Sequence, residues 1–178
     1  MDERRLKTCC FTGHRPGKLS APEEEIRAWL EEQIDQAIAD GYRIFISGCA
    51  MGVDIWAGQT VLRKRKDHPD IRLVCATPWP GMPDRWNEDW WEQYENLLAG
   101  ADEVVTICSH YCKCVYKIRN IWMVDHSGRL IAYYNGTPGG TRNTILYADK
   151  CGIEVLKWGK QDDTGRNEYS CPGKTEKD

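Results

Sequence analysis

The chain has 178 residues, 41% of them hydrophobic and 29% charged, the make-up of an ordinary globular domain long enough to bury a core without disulfide or metal staples. A formal net charge of −3 excludes a strongly basic, polyanion-coating protein and puts nucleic acid low among the expected partners. No apolar run approaches the ~18 residues of a membrane span, and the N-terminal residues lack the apolar stretch of a secretion signal. A cytoplasmic protein without membrane contact is therefore expected. The nine cysteines are an odd number, and Cys9, Cys10, Cys75 and Cys108 fall in strand-like segments, where a thiol serves as a small buried apolar group; a disulfide framework is not expected.

In chain order, Thr8 to Thr12 is short, apolar and rich in strand formers, and it runs into the loop chemistry of Gly13-His14-Arg15-Pro16-Gly17. Ser20-Ala21-Pro22-Glu23 has the form of a capping box, and Ile26, Leu30, Ile34 and Ile38 then mark one apolar helix face that Gly41 stops. Arg43 to Ser47 reads as a second strand, and Gly48 to Gly52 turns it into a helix ending near the basic run Arg63 to Lys66. A third strand over Ile71 to Ala76 precedes a proline-rich loop, Thr77 to Pro83, and a helix from about Asp84 that carries Trp86, Trp90, Tyr94 and Leu97 on one face. Glu103 to Cys108 is the fourth strand, Arg119 to Val124 the next helix, and Leu130 to Tyr134 the fifth strand. Asn135 to Gly140 turns into a helix ending at Gly152, and Ile153 to Leu156 is the last strand.

Strands and helices alternating from end to end predict a Rossmann-like α/β fold: three α/β/α layers around a mostly parallel sheet of about six strands. One domain over residues 1–158 is expected, followed by a flexible tail over 159–178.

Ligands of such sheets bind outside the carboxyl ends of the strands. Three strand-to-helix joints there combine glycine with small polar residues: Thr12 to Pro16, Ser47 to Asp54, and Gly136 to Thr141. Glycine permits close backbone approach, and a helix N-terminus offers free N–H groups and positive dipole to a phosphate. Thr12, Ser47 and Thr141 add hydroxyls, Arg15 and Arg119 add guanidinium groups that fork onto phosphate oxygens, and Asp54 is placed to hold a ribose hydroxyl or loop N–H groups. None of the joints is G-x-G-x-x-G or a P-loop, so ordinary dehydrogenase and NTPase readings are weak.

The segment Ser47-Gly48-Cys49-Ala50-Met51-Gly52-Val53-Asp54 resembles the S-G-x-A-x-G-[IV]-D signature of the SMF/DprA–LOG (SLOG) superfamily. Thr12-Gly13-His14-Arg15, Pro78-Trp79, Arg119-Asn120 and Gly139-Gly140-Thr141 extend the likeness to its YpsA-like branch, in order, over residues 8 to 156. The resemblance implies a Rossmann-like fold and a pocket for a nucleotide or nucleotide-derived ligand, NAD-like and ADP-ribose-like compounds among them, in a sensor or regulator. It carries over Thr12, Gly13, Arg15, Ser47, Gly48, Gly52, Asp54, Arg119, Asn120, Gly139, Gly140 and Thr141 as ligand-binding positions. The LOG branch cleaves nucleoside monophosphates with the glutamate of P-G-G-x-G-T-x-x-E. Here the third glycine is absent and Thr144 stands where the glutamate falls, which sets hydrolysis below binding. Were turnover to occur, Asp54, His14 and Asp84 are the acid–base candidates.

The DprA branch binds single-stranded DNA, which needs a basic groove with stacking aromatics. Trp79, Trp86, Trp90, Trp91 and the Arg63 to Lys66 run are the relevant residues, but Trp86 and Trp90 lie on an apolar helix face and the basic run ends a helix, where positive charge suits the dipole. Trp79 either stacks on a ligand base or pins its loop. Cys108, His110, Cys112 and Cys114 are metal-capable side chains at a spacing unusual for zinc, and no metal is expected. Exposed tryptophans would favour a homo-oligomer.

Overall fold

The computed structural model describes residues 2–159; from residue 160 on, the expected tail lies outside them. Among the described residues, six strands form one all-parallel sheet in the order β4-β3-β2-β1-β5-β6. They are β1 (Thr8–Gly13), β2 (Ile44–Ser47), β3 (Arg72–Thr77), β4 (Glu103–Thr106), β5 (Arg129–Tyr133) and β6 (Glu154–Lys157). The helices among the described residues are α1 (Glu3–Leu6), α2 (Glu23–Ala39), α3 (Val53–Lys64), α4 (Glu88–Gly100), α5 (Val115–Asp125) and α6 (Gly140–Cys151), with a 3-10 turn over Pro16–Lys18.

The pleat sorts the side chains into two cores. Cys9 and Phe11 of β1, Phe45 of β2 and Ile131 and Tyr133 of β5 face α2, α3 and α4, and Phe11 stacks on Phe45 with ring centroids 6.1 Å apart. Cys10, Ile46, Val74, Leu130 and Ala132 face the other way, toward Met123 and Val124 of α5 and Ile145 and Ala148 of α6. A strand buried on both faces needs apolar residues at every position, hence the near-continuous runs in the sequence. Each fully buried large side chain contributes roughly 1.5–3 kcal/mol.

Several expected boundaries move. The capping box is not one: α2 begins at Glu23 behind Pro22 with no side-chain cap, and the Ser20 hydroxyl lies 3.0 Å from the Tyr133 hydroxyl instead. Helix α4 starts at Glu88, where Asn87 accepts the Trp90 N–H at 3.0 Å, and not near Asp84. Helix α5 starts at Val115, a turn before the expected Arg119. The short α1, opened by Asp2 accepting from Arg4, precedes β1 where an immediate strand was expected.

The order of the strands sets the site. After β1 the chain steps through β2, β3 and β4 on one side, then returns to place β5 and β6 on the other. Helices leaving β1 and β5 therefore depart to opposite faces, and their loops part at the carboxyl end of the sheet. That topological switch point is where open α/β sheets hold ligands.

Candidate functional site at the sheet switch point

A cleft of about 580 Å³ opens at this point, lined by Thr12, Gly13, His14, Arg15, Gly17 and Lys18 after β1, Ala50 and Asp54 after β2, Tyr116, Arg119 and Asn120 of α5, and Pro138, Gly139, Gly140 and Thr141 at the head of α6. Nine of the twelve positions singled out in the sequence meet here: Thr12, Gly13, Arg15, Asp54, Arg119, Asn120, Gly139, Gly140 and Thr141. Ser47, Gly48 and Gly52 do not line the cleft but stand behind it. Fully buried, Ser47 donates its hydroxyl hydrogen to the Asp54 carbonyl at 2.7 Å and accepts from the Cys49 N–H at 3.1 Å, so it closes the turn onto α3.

The glycines behind the cleft are there for space. A Cβ on Gly48 would sit 2.6 Å from Asp54 Oδ2 and run into the Arg119 guanidinium. Gly52, at φ 90°, would meet the His14 carbonyl at 3.0 Å and could not carry a side chain without backbone strain. Gly13 brings the end of β1 onto the first residue of α3, a Cβ there falling 2.5 Å from Val53 Cβ. Gly140 differs: its Cβ would meet only Asn120 Nδ2, at 4.0 Å.

Arg119 is the buried cation of the site. Its guanidinium donates to the Gly48 carbonyl and, at 3.5 Å, to the Ala76 carbonyl, while Nε donates to Asn120 Oδ1 at 2.7 Å. It thereby ties α5 to the ends of β2 and β3. Asp54 is the buried anion. Its Oδ2 accepts the Ala50 N–H at 3.4 Å and its Oδ1 is buried without a partner. Burial pushes the Asp54 carboxyl up to about 6, against the opposing pull of the nearby Arg119 charge.

His14 is anchored to the loop after β5. Its Nε2 accepts the Asn135 N–H at 3.2 Å, and burial together with the Lys18 charge lowers its pKa from the ordinary imidazole range. The ring is packed beside Tyr134 at 5.8 Å, so it braces the β1 and β5 loops. Arg15 is exposed on the rim, its guanidinium 5.6 Å from the Tyr116 ring centroid. Gly17, Lys18, Ala50, Tyr116 and Pro138 line the cleft but were not among the positions carried over from the sequence. Tyr116 had a signal, since it stands three and four residues before Arg119 and Asn120 and shares their helix face, but the helix was expected to begin too late to include it.

Helix α6 opens at the cleft behind Gly139, which lies at φ 149° and supplies no side-chain cap. Its first-turn N–H groups have the orientation that suits an oxyanion. Thr144, where a catalytic glutamate would fall, donates its hydroxyl hydrogen to the Gly140 carbonyl at 2.8 Å and is turned into its own helix.

Other candidates lie elsewhere. Asp84 is exposed in the loop before α4, away from the cleft lining. Trp79 packs against the core and edge-on to Tyr111 at 5.6 Å, pinning its loop. Trp86 and Trp90 pack against Tyr94 and Trp56 respectively. In the basic run, Lys64 pairs with Glu31 and Asp35, and Arg65 with Asp102. The Cys112 and Cys114 sulfurs lie 3.2 Å apart, and among the described residues no three metal-capable side chains converge. No helix among the described residues is long and apolar enough to cross a membrane.

An all-parallel sheet with a glycine-rich cleft at its switch point defines a Rossmann-like α/β protein. Over residues 9–150 the chain matches the model of the YspA SLOG family, and it belongs to that family. It is 31% identical over 147 residues to the uncharacterized SPbeta prophage-derived protein YoqJ of Bacillus subtilis (strain 168), covering 76% of this chain and 84% of that one. It is 27% identical over 153 residues to a UPF0398 protein of Bacillus thuringiensis (strain Al Hakam), covering 82% and 83%. Among solved structures, DNA processing protein A of Streptococcus pneumoniae superposes with a TM-score of 0.64 at 16% identity, over 89% of this chain and 52% of that one. The Helicobacter pylori protein of that name, described for its single-stranded DNA binding mode, superposes with a TM-score of 0.61 at 15% identity, over 90% and 68%. At these identities the likeness is one of fold.

Proposed function

We propose that this protein binds a nucleotide or nucleotide-derived phosphate in the switch-point cleft and acts as a sensor or regulator responding to it. The observation that carries this reading is the head of α6: a helix N-terminus without a side-chain cap, forming one wall of a cleft that also contains Arg119 and Arg15. Backbone N–H groups take the phosphate oxygens, Arg15 adds charge from the rim, and Thr12 and Thr141 add hydroxyls. Binding is set ahead of glycosidic cleavage because Thr144, standing where a catalytic glutamate would fall, is bonded into its own helix; Asp54, in the cleft with Oδ1 unpartnered, is the acid–base group on which any turnover would depend.

Single-stranded DNA is the second reading, raised by the fold shared with DNA processing protein A. It has less local support, because Lys64 and Arg65 are occupied by carboxylates and Trp86 and Trp90 by the core.

A thermal-shift panel of AMP, ADP, NAD, ADP-ribose and single-stranded DNA separates the two. A ligand at about one hundred times its Kd adds about 2.7 kcal/mol, which raises the Tm of a chain this size by roughly 5–10 °C. A shift with one nucleotide class and none with DNA is the expected result. A shift with DNA alone, falling steeply with salt, would overturn the small-ligand reading.

A further inference from the structure

A second groove of about 460 Å³ runs between α5 and α6 and shares Tyr116, Asn120 and Gly140 with the cleft. The two therefore adjoin along those three residues, and a Cβ on Gly140 would meet only Asn120 Nδ2, at 4.0 Å. The groove is more apolar than the cleft. Ile121, Leu146 and Tyr147 form its walls, and Leu146 is 52% exposed. An exposed leucine on a helix that otherwise buries Ile145 and Ala148 in the core is unpartnered apolar surface beside a polar site.

We infer that this groove holds the heterocyclic base of the ligand whose phosphate is bound at the head of α6. The proposal rests on the phosphate-binding reading and extends it to a ligand class: a nucleotide with an intact base, not a sugar phosphate or inorganic phosphate. The chemistry of the lining fits a flat aromatic ring with polar edges. Tyr116 and Tyr147 bring aromatic rings to the lining, and Ile121 and Leu146 bring apolar side chains. The edge of the base is met by amides. Asn120 Oδ1 is taken by Arg119 Nε at 2.7 Å, which leaves its Nδ2 as a donor where the two pockets adjoin, and Asn143 stands across on α6.

The test compares AMP with ribose 5-phosphate by calorimetry, on the wild type and on Leu146→Asp. Leu146 is exposed, so the variant is expected to fold with an unchanged Tm; Asn143→Ala, also on the exposed surface, is the second variant. AMP is expected to bind at least tenfold more tightly than ribose 5-phosphate in the wild type. Leu146→Asp is expected to remove most of that advantage while ribose 5-phosphate binding is kept. Equal affinities in the wild type, or an AMP advantage that survives both substitutions, would overturn the base subsite and leave the phosphate site standing. Binding of neither compound would overturn both. A shift to dimers that Leu146→Asp abolishes, with no change in AMP affinity, would assign the groove to a second copy of the chain and overturn the subsite.

Discussion

At the scale of single residues, the buried carboxylate of Asp54 is the most consequential charge. Its pKa stands at about 6 in the folded protein against an ordinary value of 3.8. Because the folded value is raised, the favourable contribution is fully present below about pH 4 and is lost as pH rises through 6. The ionised form above that range costs roughly 3 kcal/mol. Asp54→Asn is therefore expected to be more stable than the wild type in urea unfolding at pH 7.5 and nearly equal to it at pH 4. Stability curves that stay parallel between those pH values would show that Asp54 is not the titrating group. Keeping so costly a carboxylate, with Oδ1 unpartnered, is consistent with a site that binds rather than one optimised for stability.

Glycines supply a second test at this scale, because two of them are predicted to behave oppositely. Gly13→Ala places a Cβ 2.5 Å from Val53 Cβ, at the joint between β1 and α3. Neither partner can rotate away, and a loss of about 1–3 kcal/mol is expected. Gly140→Ala meets open space at the first position of α6, and should leave stability unchanged or raise it by about 0.5 kcal/mol. Thermal or urea melts of the pair check both signs.

At the scale of elements, the strands were legible because each is a short apolar run bounded by glycine, proline or charge. Their rough positions held while their ends moved by a residue or two. Helix starts were less legible. The Ser20 to Glu23 pattern reads as a cap, but the serine hydroxyl is drawn to Tyr133 across the fold, 113 positions away, and no local pattern announces such a partner. Helix α5 begins at Val115 after a cysteine with no side-chain cap, so nothing in the sequence marked its first turn, and Tyr116 was lost with it. The glycine joints, by contrast, were visible as motifs. What the motif alone did not separate was lining from support: Ser47, Gly48 and Gly52 have the same signature as Asp54, yet their work is to seat α3 and admit Arg119.

At the scale of the whole molecule, β6 and the residue after it close the sheet. Trp158 donates its N–H to the Ala132 carbonyl at 2.9 Å and packs against Trp29 and Tyr133, with centroids 5.5 Å and 5.2 Å away. Trp158→Ala is expected to cost about 1–3 kcal/mol through lost aromatic packing. It should do so without weakening ligand binding, because Trp158 does not line the switch-point cleft. An unchanged urea midpoint would place Trp158 outside the cooperative unit.

Calorimetry with ADP on the wild type and on Gly140→Leu tests ligand binding in the switch-point cleft most directly. The substituted position opens a helix and faces free space, so the variant is expected to melt at the wild-type temperature while its side chain fills the mouth of the cleft. One ADP per chain for the wild type, and at least a tenfold loss of affinity in Gly140→Leu with the Tm unchanged, is the predicted result. Equal affinity in the two proteins would contradict it and place the ligand elsewhere on the fold.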